Sequence, residues 1–261
     1  MGTTDDPALA AAGLDGVALK PSECDPRRAA GLSPGTVVVD YEGPGHMPDE
    51  GTLRDLAAAS DLRVTVPVRA DGFDPLGDDA RARGLPPGVG RVLVAGNPAY
   101  LSERERERAV APRLGAAREA WPDAWVGTEG IERLALAAGG TQFELLAPRT
   151  RREVRSLRAA GFGGTVALYA PVVPTDDDDA VLDAVGAYVA RRGPVAGRLP
   201  EGATTDAGAT GRARSVLLDA AADYALVGPP ARIRERIERL REAGVDLVVG
   251  YPAGGLESLR G

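Results

Sequence analysis

The chain has 261 residues, a length that suits one large domain and is common among single α/β barrels. Its net charge of -7 and pI near 5.0 argue against a nucleic-acid-binding protein, because contact with phosphates requires a basic face. One cysteine excludes an internal disulfide, and neither a signal-peptide pattern nor a run of about 18 apolar residues is present, so we expect a cytoplasmic protein that spans no membrane.

Short apolar runs bounded by Gly, Pro or polar residues are typical of buried parallel strands. The predicted strands are 16–20, 36–41, 63–69, 91–95, 124–127, 142–146, 165–170 and 245–249. Helical patterns lie at 8–12, 26–30, 52–59, 78–83, 102–120, 131–138, 151–160, 177–191 and 212–222. A last helix begins at Pro229 and Pro230, which suit a first turn, and ends at Gly244.

Eight strands that alternate with helices predict an α/β fold, a single (β/α)8 TIM barrel over residues 1–261. An open doubly wound sheet is the competing architecture. Such a sheet would have a Gly-rich phosphate loop after its first strand, whereas this chain continues with Lys20-Pro21-Ser22-Glu23. The range 193–211, rich in Gly, Ala, Pro and Thr, predicts a flexible surface linker.

Barrel active sites lie at the C-terminal ends of the strands, so the last inward-pointing residue of each strand is a candidate. Side-chain alternation predicts a polar rim there, together with Tyr169 and with Asn97 just past its strand. The candidate catalytic residues of this rim are Lys20, Asp40, Arg69, Glu129 and Glu144. The alternative interpretation is an ion-pair network that closes the barrel mouth and binds nothing.

Lys20 is the only lysine among 31 basic residues. A lysine does what an arginine cannot where a deprotonatable amine or a Schiff base is required, and chance retention of one lysine is the alternative. We interpret His46 as an exposed loop residue and Cys24 as an inert thiol. The acidic run 176–179 is interpreted as a helix start, so no metal site is predicted.

Three stretches of the second half, 125–138, 169–180 and 227–255, resemble the luciferase-like barrel family. The last one, from Val227-Gly228-Pro229-Pro230 to 250–255, is similar to its deazaflavin-dependent methylenetetrahydromethanopterin reductase branch, with shorter loops than that branch. The resemblance implies a barrel, often a homodimer, that binds FMN or the deazaflavin coenzyme F-420 at the strand ends and transfers hydride. Gly96, Asn97, Gly228 and Tyr169 would then contact the cofactor.

Three functions follow as hypotheses. The first is a flavin- or deazaflavin-dependent oxidoreductase that acts on a small, pterin-type substrate, with the helix start at Gly228 facing an anionic group. The second is a cofactor-independent lyase or isomerase that uses Lys20 as amine or base. The third is a barrel that has lost its cofactor site and binds a small molecule without catalysis. The fold alone does not choose among them.

Overall fold

A ring of eight parallel strands closes into a barrel in the computed structural model, which describes residues 11–32 and 34–259. The strands are β1 (Gly16–Leu19), β2 (Thr36–Val39), β3 (Asp61–Pro67), β4 (Gly90–Val94), β5 (Trp125–Gly127), β6 (Gln142–Leu145), β7 (Val166–Val173), β8 (Leu226–Val227) and β9 (Leu247–Pro252). Strands β1 to β7 pair in sequence order, β9 lies between β7 and β1, and β8 extends the end of β7 outside the ring. The predicted barrel is therefore confirmed.

Helices surround the barrel at most of the predicted places. In the described residues they are α1 (Glu50–Ala59), α2 (Ala80–Arg83), α3 (Glu103–Arg106), α4 (Val110–Ala120), α5 (Glu132–Ala138), α6 (Thr150–Ala159), α7 (Asp178–Ala190), α8 (Gly193–Ala196), α9 (Gly211–Tyr224) and α10 (Pro230–Arg241). Short 3-10 helices cover Pro26–Leu32, Pro98–Tyr100 and Leu256–Leu259. Of the predicted leading helix at 8–12, residues 11 and 12 are helical and the others lie outside the described residues.

Two apolar layers explain why the strands consist of Val, Leu and Ala. The outer layer lies between strands and helices, where Ile233 and Ile237 of α10 join the same core as Val17 of β1. The inner layer fills the barrel and contains aromatic rings, among them Trp125 and Phe143. Since both faces of a barrel strand are covered, all eight residues of β7 are buried, which is why the strands appear in the sequence as continuous apolar runs.

The predicted helix at 102–120 is two helices, α3 and α4. Ser102 caps α3 through a capping box with Glu105, as its sequence position suggested. A continuous helix is opposed by Pro112 in the first turn of α4, which has no N–H and whose ring would clash with the carbonyl of Arg108. The Arg106 carbonyl at the end of α3 accepts a hydrogen bond from the Arg69 guanidinium at 2.9 Å. The proline was a sequence signal for the break that the periodicity argument overlooked.

Residues 174–225, here called the cap segment, are inserted between β7 and the helix α10 that leads to β9. The segment contains α7, α8 and α9, and α7 packs against α9 through Leu182, Val189 and Leu217. The helix predicted at 177–191 after the seventh strand is present as α7 and packs on the end of β7, where Val181 and Val185 join Val173, whereas α10 covers the outer face of the ring. In the range 193–211, Val195 and Ala209 are buried in the cap core, whereas its flexibility stays a prediction.

Gly186 provides a test of the cap segment. A Cβ atom at this position of α7 would overlap the backbone carbonyl oxygen of Thr205. We expect Gly186→Ala to lower the free energy of unfolding by about 1–3 kcal/mol through overpacking, measured by urea denaturation. The control is Gly115→Ala on α4, where a Cβ meets open space and should add about 0.5–1 kcal/mol. An equal increase in the free energy of unfolding for both variants would contradict the close packing of Gly186 against Thr205.

Candidate active site

The C-terminal ends of four neighbouring strands bring polar side chains together above the filled barrel. Ala18 and Val38 point into the barrel, so Lys20 and Asp40, two residues further on, reach its mouth. The Tyr169 hydroxyl of β7 donates to Asp40 Oδ2 at 3.4 Å, and the Tyr169 ring stacks on Tyr251 of β9 at 6.1 Å. The predicted proximity of Lys20, Asp40 and Tyr169 is thus observed. We call the set Lys20, Glu23, Asp40, Glu42, Tyr169 and Tyr251 the mouth cluster.

Asp40 has the environment of a proton-transfer group. Burial raises the pKa of its carboxyl to about 7, and the Lys20 ammonium opposes this rise by favouring the charged form. The neighbouring carboxylates Glu42 and Glu23 raise the pKa further through like-charge repulsion, whereas the hydrogen bond from Tyr169 lowers it. At neutral pH both the acid and the carboxylate are therefore populated.

Lys20 and Tyr251 form the second half of the cluster. The Lys20 Nζ lies 3.9 Å from the centroid of the Tyr251 ring and 3.3 Å from Glu23 Oε1. The Tyr251 hydroxyl donates to the other carboxylate oxygen of Glu23, and burial together with this bond raises the pKa of Tyr251. The Lys20 side chain is packed over most of its surface and is 20% exposed.

Glu42 is a buried carboxylate that connects three loops through hydrogen bonds. Its Oε2 accepts hydrogen bonds from the Ser22 backbone N–H at 2.9 Å and from the Ser22 hydroxyl at 2.6 Å. Its Oε1 accepts from the Tyr100 hydroxyl at 3.4 Å. These bonds fix the loops after β1, β2 and β4 around Asp40, which gives the mouth a defined shape.

The sequence analysis did not select Glu23, Glu42 or Tyr251 as site residues. Tyr251 had a usable signal, because alternation from the buried Val249 predicts that it points into the barrel. Glu42 follows Asp40 by two residues, but it lies beyond the strand, where alternation no longer applies. Loop geometry therefore decided its position.

Arg69 has a structural role at the edge of the mouth. Its guanidinium donates to the carbonyls of Ala95 at 2.7 Å, Gly96 at 3.1 Å and Arg106 at 2.9 Å. Burial lowers the pKa of Arg69, and its three donor nitrogens are all engaged by backbone. It fixes the loop after β4, so the structure does not bring it into the mouth cluster as a catalytic charge.

Glu129 belongs to the contact between the barrel and the cap segment. It lies just past β5, its side chain is 64% exposed, and Arg192 Nη1 donates to it at 2.7 Å. The same guanidinium lies 4.4 Å from the Tyr188 ring centroid and donates to the Tyr188 hydroxyl. Tyr188 in turn contributes to the raised pKa of Tyr169. The end of α7 therefore lies over one side of the mouth.

Glu144 corrects the predicted rim. Phe143 of the same strand belongs to the barrel interior, so alternation directs Glu144 to the outer layer. There its carboxylate accepts from the Thr128 hydroxyl at 2.9 Å, and burial raises its pKa. The prediction that Glu144 faces the mouth was off by one residue in the alternation of β6.

The residues assigned to a cofactor have local structural contacts. Gly96 has φ +95° and a Cβ there would lie 3.1 Å from Pro67, whereas the exposed Asn97 accepts from the Ala99 N–H at 2.9 Å. Gly228 has φ +118° and donates its N–H to the Val173 carbonyl at 3.1 Å. Helix α10 then begins with prolines, which lack the N–H groups that bind anions at a helix start.

An open groove of about 500 Å3 lies beside the mouth, between the loops after β1 and β2. Cys24 and His46 line it together with Glu23. Burial raises the pKa of the Cys24 thiol, which keeps it protonated, and His46 is exposed as predicted. In residues 11–32 and 34–259 no group of His, Cys, Asp and Glu has the arrangement of a metal site.

Fold and site together define a parallel (β/α)8 barrel protein with a cluster of carboxyl, tyrosine and lysine side chains at its C-terminal mouth. The chain belongs to DUF7388, a family of unknown function, whose sequence profile matches residues 9–259. None of the curated proteins matches it in sequence. No helix of the described residues is long and apolar enough to cross a membrane.

Among solved structures, the chain is similar to an F420-dependent secondary alcohol dehydrogenase in complex with an F420-acetone adduct. The two share 14% sequence identity with a TM-score of 0.57, over 92% of this chain and 94% of the other. This similarity supports the barrel fold that the luciferase-like resemblance implied, whereas the reductase branch is not confirmed.

Lys20, Arg69 and Arg192 offer no free charge to the phosphate of a flavin-type cofactor. Lys20 and Arg192 are already paired with carboxylates, and Arg69 donates to backbone carbonyls. The carboxylates of the mouth cluster would also repel an anion. The contact residues assigned to such a cofactor therefore stay predictions.

The raised pKa of Asp40 predicts a pH-dependent stability. The folded state holds the proton up to about pH 7, whereas the unfolded chain releases it in the ordinary range of aspartate, so folding loses stability as pH rises between these values. Asp40→Asn should remove this decrease in the free energy of unfolding, which amounts to up to about 1.4 kcal/mol per pH unit. Urea denaturation at pH 5 and pH 8 should show the variant gaining stability relative to wild type at the higher pH. Asp123→Asn, at an exposed position, serves as control. A stability difference between Asp40→Asn and wild type that is the same at both pH values would refute the raised pKa of Asp40.

Proposed function

We propose that the protein is an enzyme that uses Asp40 to transfer a proton to or from a small-molecule substrate at the barrel mouth, in a lyase or isomerase reaction. The observation that carries the proposal is a carboxyl of pKa about 7, bonded by the Tyr169 hydroxyl and lying in the field of Lys20. A general acid–base group works best when its pKa is near the working pH. Asp40 lies at the C-terminal ends of the strands, where barrel enzymes have their active sites.

Each contact of Asp40 has a role in this reaction. The Tyr169 hydroxyl fixes the orientation of the carboxylate, and its own pKa is held well above its ordinary value, so it keeps its proton. The Lys20 ammonium stabilises negative charge that develops on a substrate oxygen. Burial of the cluster strengthens both interactions, because the surroundings screen charge less than water does.

A purely structural ion-pair network is the competing interpretation, and the charges argue against it. A network built for stability would hold Asp40 as a carboxylate with a close cationic partner, which would lower its pKa. In this structure the Lys20 charge does not offset the effect of burial, and the other neighbours of Asp40 are a tyrosine at 3.4 Å and two acidic residues, which is a costly arrangement for stability alone. Perturbed groups of this kind concentrate at functional sites.

Deazaflavin- or flavin-dependent hydride transfer is the second candidate function. The observation that favours it is the shared fold with an F420-dependent secondary alcohol dehydrogenase over 92% of the chain. In this hypothesis coenzyme F-420 or FMN would supply the hydride chemistry, and Asp40 would move the accompanying proton of a small, pterin-type substrate. A homodimer in the cytoplasm without a nucleic-acid partner is the setting that the sequence led us to expect.

Asp40 should be required for proton exchange. In deuterated water, small α-hydroxy aldehydes and α-oxo acids are incubated with the protein, and loss of the α-proton signal is followed by NMR. We expect Asp40→Asn to slow the exchange by about 100-fold or more, in the range of general acid–base catalysis. Glu144→Gln is the matched control, because it removes a half-buried carboxyl of raised pKa outside the mouth.

The carboxyl titration of Asp40 tests the same proposal without a substrate. Carbon NMR of labelled aspartate should show a midpoint near pH 7, and Lys20→Met should move it upward because the ammonium lowers this pKa. A titration midpoint in the ordinary pKa range of aspartate would refute the proposed role of Asp40.

The cofactor hypothesis predicts that the purified protein binds coenzyme F-420 or FMN with micromolar affinity, seen as fluorescence quenching of the titrated chromophore. The structure offers Arg191, exposed on the cap segment near Tyr100, as the residue to test, and Arg191→Ala should weaken such binding. Arg152→Ala, an exposed arginine on α6, is the control. Absence of quenching by both chromophores would exclude this function for the chain.

A further inference from the structure

Lys20 differs chemically from every other basic residue of the chain. The sequence uses arginine wherever the structure needs a surface cation, as in the pairs of Arg158 with Asp246 and of Arg241 with Asp15. The mouth is the place where the one lysine stands. If a fixed charge were all that the mouth required, arginine would supply it as it does elsewhere, but only the lysine amine reacts as a nucleophile.

The amine has the surroundings that a covalent reaction requires. The Tyr251 ring, 3.9 Å from Nζ, packs beneath it, and the side chain extends from the end of β1 with 20% of its surface exposed. Lys20 and Asp40 directly follow Leu19 and Val39, which pair in the neighbouring strands β1 and β2, so both groups lie side by side at the same end of the barrel. A base and a nucleophile therefore share one mouth.

We propose that Lys20 forms an imine with the carbonyl carbon of an aldehyde or ketone substrate, with Asp40 as its proton acceptor and donor. The proposal rests on the proposed function and names its substrate class. Removal of a proton from Nζ to the Asp40 carboxylate gives the free amine. The nitrogen then bonds to the carbonyl carbon as the π electron pair moves to oxygen, and transfer of one proton from that nitrogen to the oxygen gives a neutral carbinolamine.

Loss of water completes the step. Asp40 gives its proton to the carbinolamine hydroxyl, the C–O bond breaks, and water leaves as the nitrogen lone pair forms the C=N bond. The positive charge stays on the protonated imine, which draws electrons from the adjacent carbon and makes lyase or isomerase chemistry there accessible. No oxidant or reductant is needed, in agreement with a reaction that has no redox cofactor.

Glu23 should oppose this reaction in the resting protein. Its Oε1 lies 3.3 Å from Nζ and stabilises the ammonium, which is the unreactive form. The Tyr251 hydroxyl holds the same carboxylate through Oε2. Removing the charge of Glu23 should therefore raise the reactivity of Lys20, whereas removing the charge of Asp40 should lower it, and a merely structural lysine would not respond in this opposed way.

Reductive trapping tests the inference. The full-length protein is incubated with glycolaldehyde or with pyruvate and sodium cyanoborohydride, and the adduct is located by peptide mass spectrometry, which distinguishes Lys20, the only lysine, from the α-amino group. We expect the folded protein to be trapped at Lys20 about 100-fold faster than the same chain unfolded in urea, with saturation in at least one probe. Asp40→Asn should slow trapping by at least about tenfold and Glu23→Gln should accelerate it.

The outcomes separate the two proposals. If the folded protein is trapped no faster than the unfolded chain, the imine proposal is overturned. If Asp40 still titrates near pH 7 in that case, the proposed acid–base function survives. Fast trapping at Lys20 that Asp40→Asn leaves unchanged refutes Asp40 as its proton acceptor. The comparison of folded with unfolded wild type needs no variant, and Lys20→Arg, which keeps the charge, should abolish the adduct.

Discussion

The pairing of β7 with both β6 and β9 is the interaction on which the rest of the structure depends. These two neighbours close the ring of strands and leave no open edge. Closure forces alternate side chains into a narrow interior, where Trp125, Phe143, Tyr169 and Tyr251 fill the space. Because the interior is filled, polar groups have room only at the ends of the strands, and the C-terminal end carries the mouth cluster.

The chemistry of the mouth follows from partial desolvation. Asp40 lies where the aromatic filling ends and solvent begins, so burial raises its pKa without isolating it from a ligand. The Tyr169 hydroxyl donates to the Asp40 carboxyl, and the Tyr251 hydroxyl donates to the Glu23 carboxylate. Lys20 lies near both of these hydrogen-bonded pairs. The proposed proton transfer by Asp40 and the proposed nucleophilic attack by Lys20 would both depend on this arrangement, in which one cation lies near several acids.

The cap segment connects the unusual part of the fold to the site. It leaves the barrel at the end of β7, and its helix α7 returns over the mouth, where Arg192 bonds Glu129 just past β5, two strands along the ring from β7. The likeness to an F420-dependent dehydrogenase concerns the fold, and the charges at the mouth of this chain distinguish it from a site shaped for a phosphate. Fold and chemistry are thus separate questions in this family.

Eight apolar runs separated by helical patterns predicted the barrel, and strand alternation predicted that Lys20, Asp40 and Tyr169 lie at the same end, as the structure shows. It missed the outward direction of Glu144, since a shift of one residue in register reverses a side chain. Tertiary structure alone decided that Glu42 reaches the mouth and that α7 lies over it. Those positions depend on loop paths and on contacts between residues far apart in the chain, which no local pattern of polarity encodes.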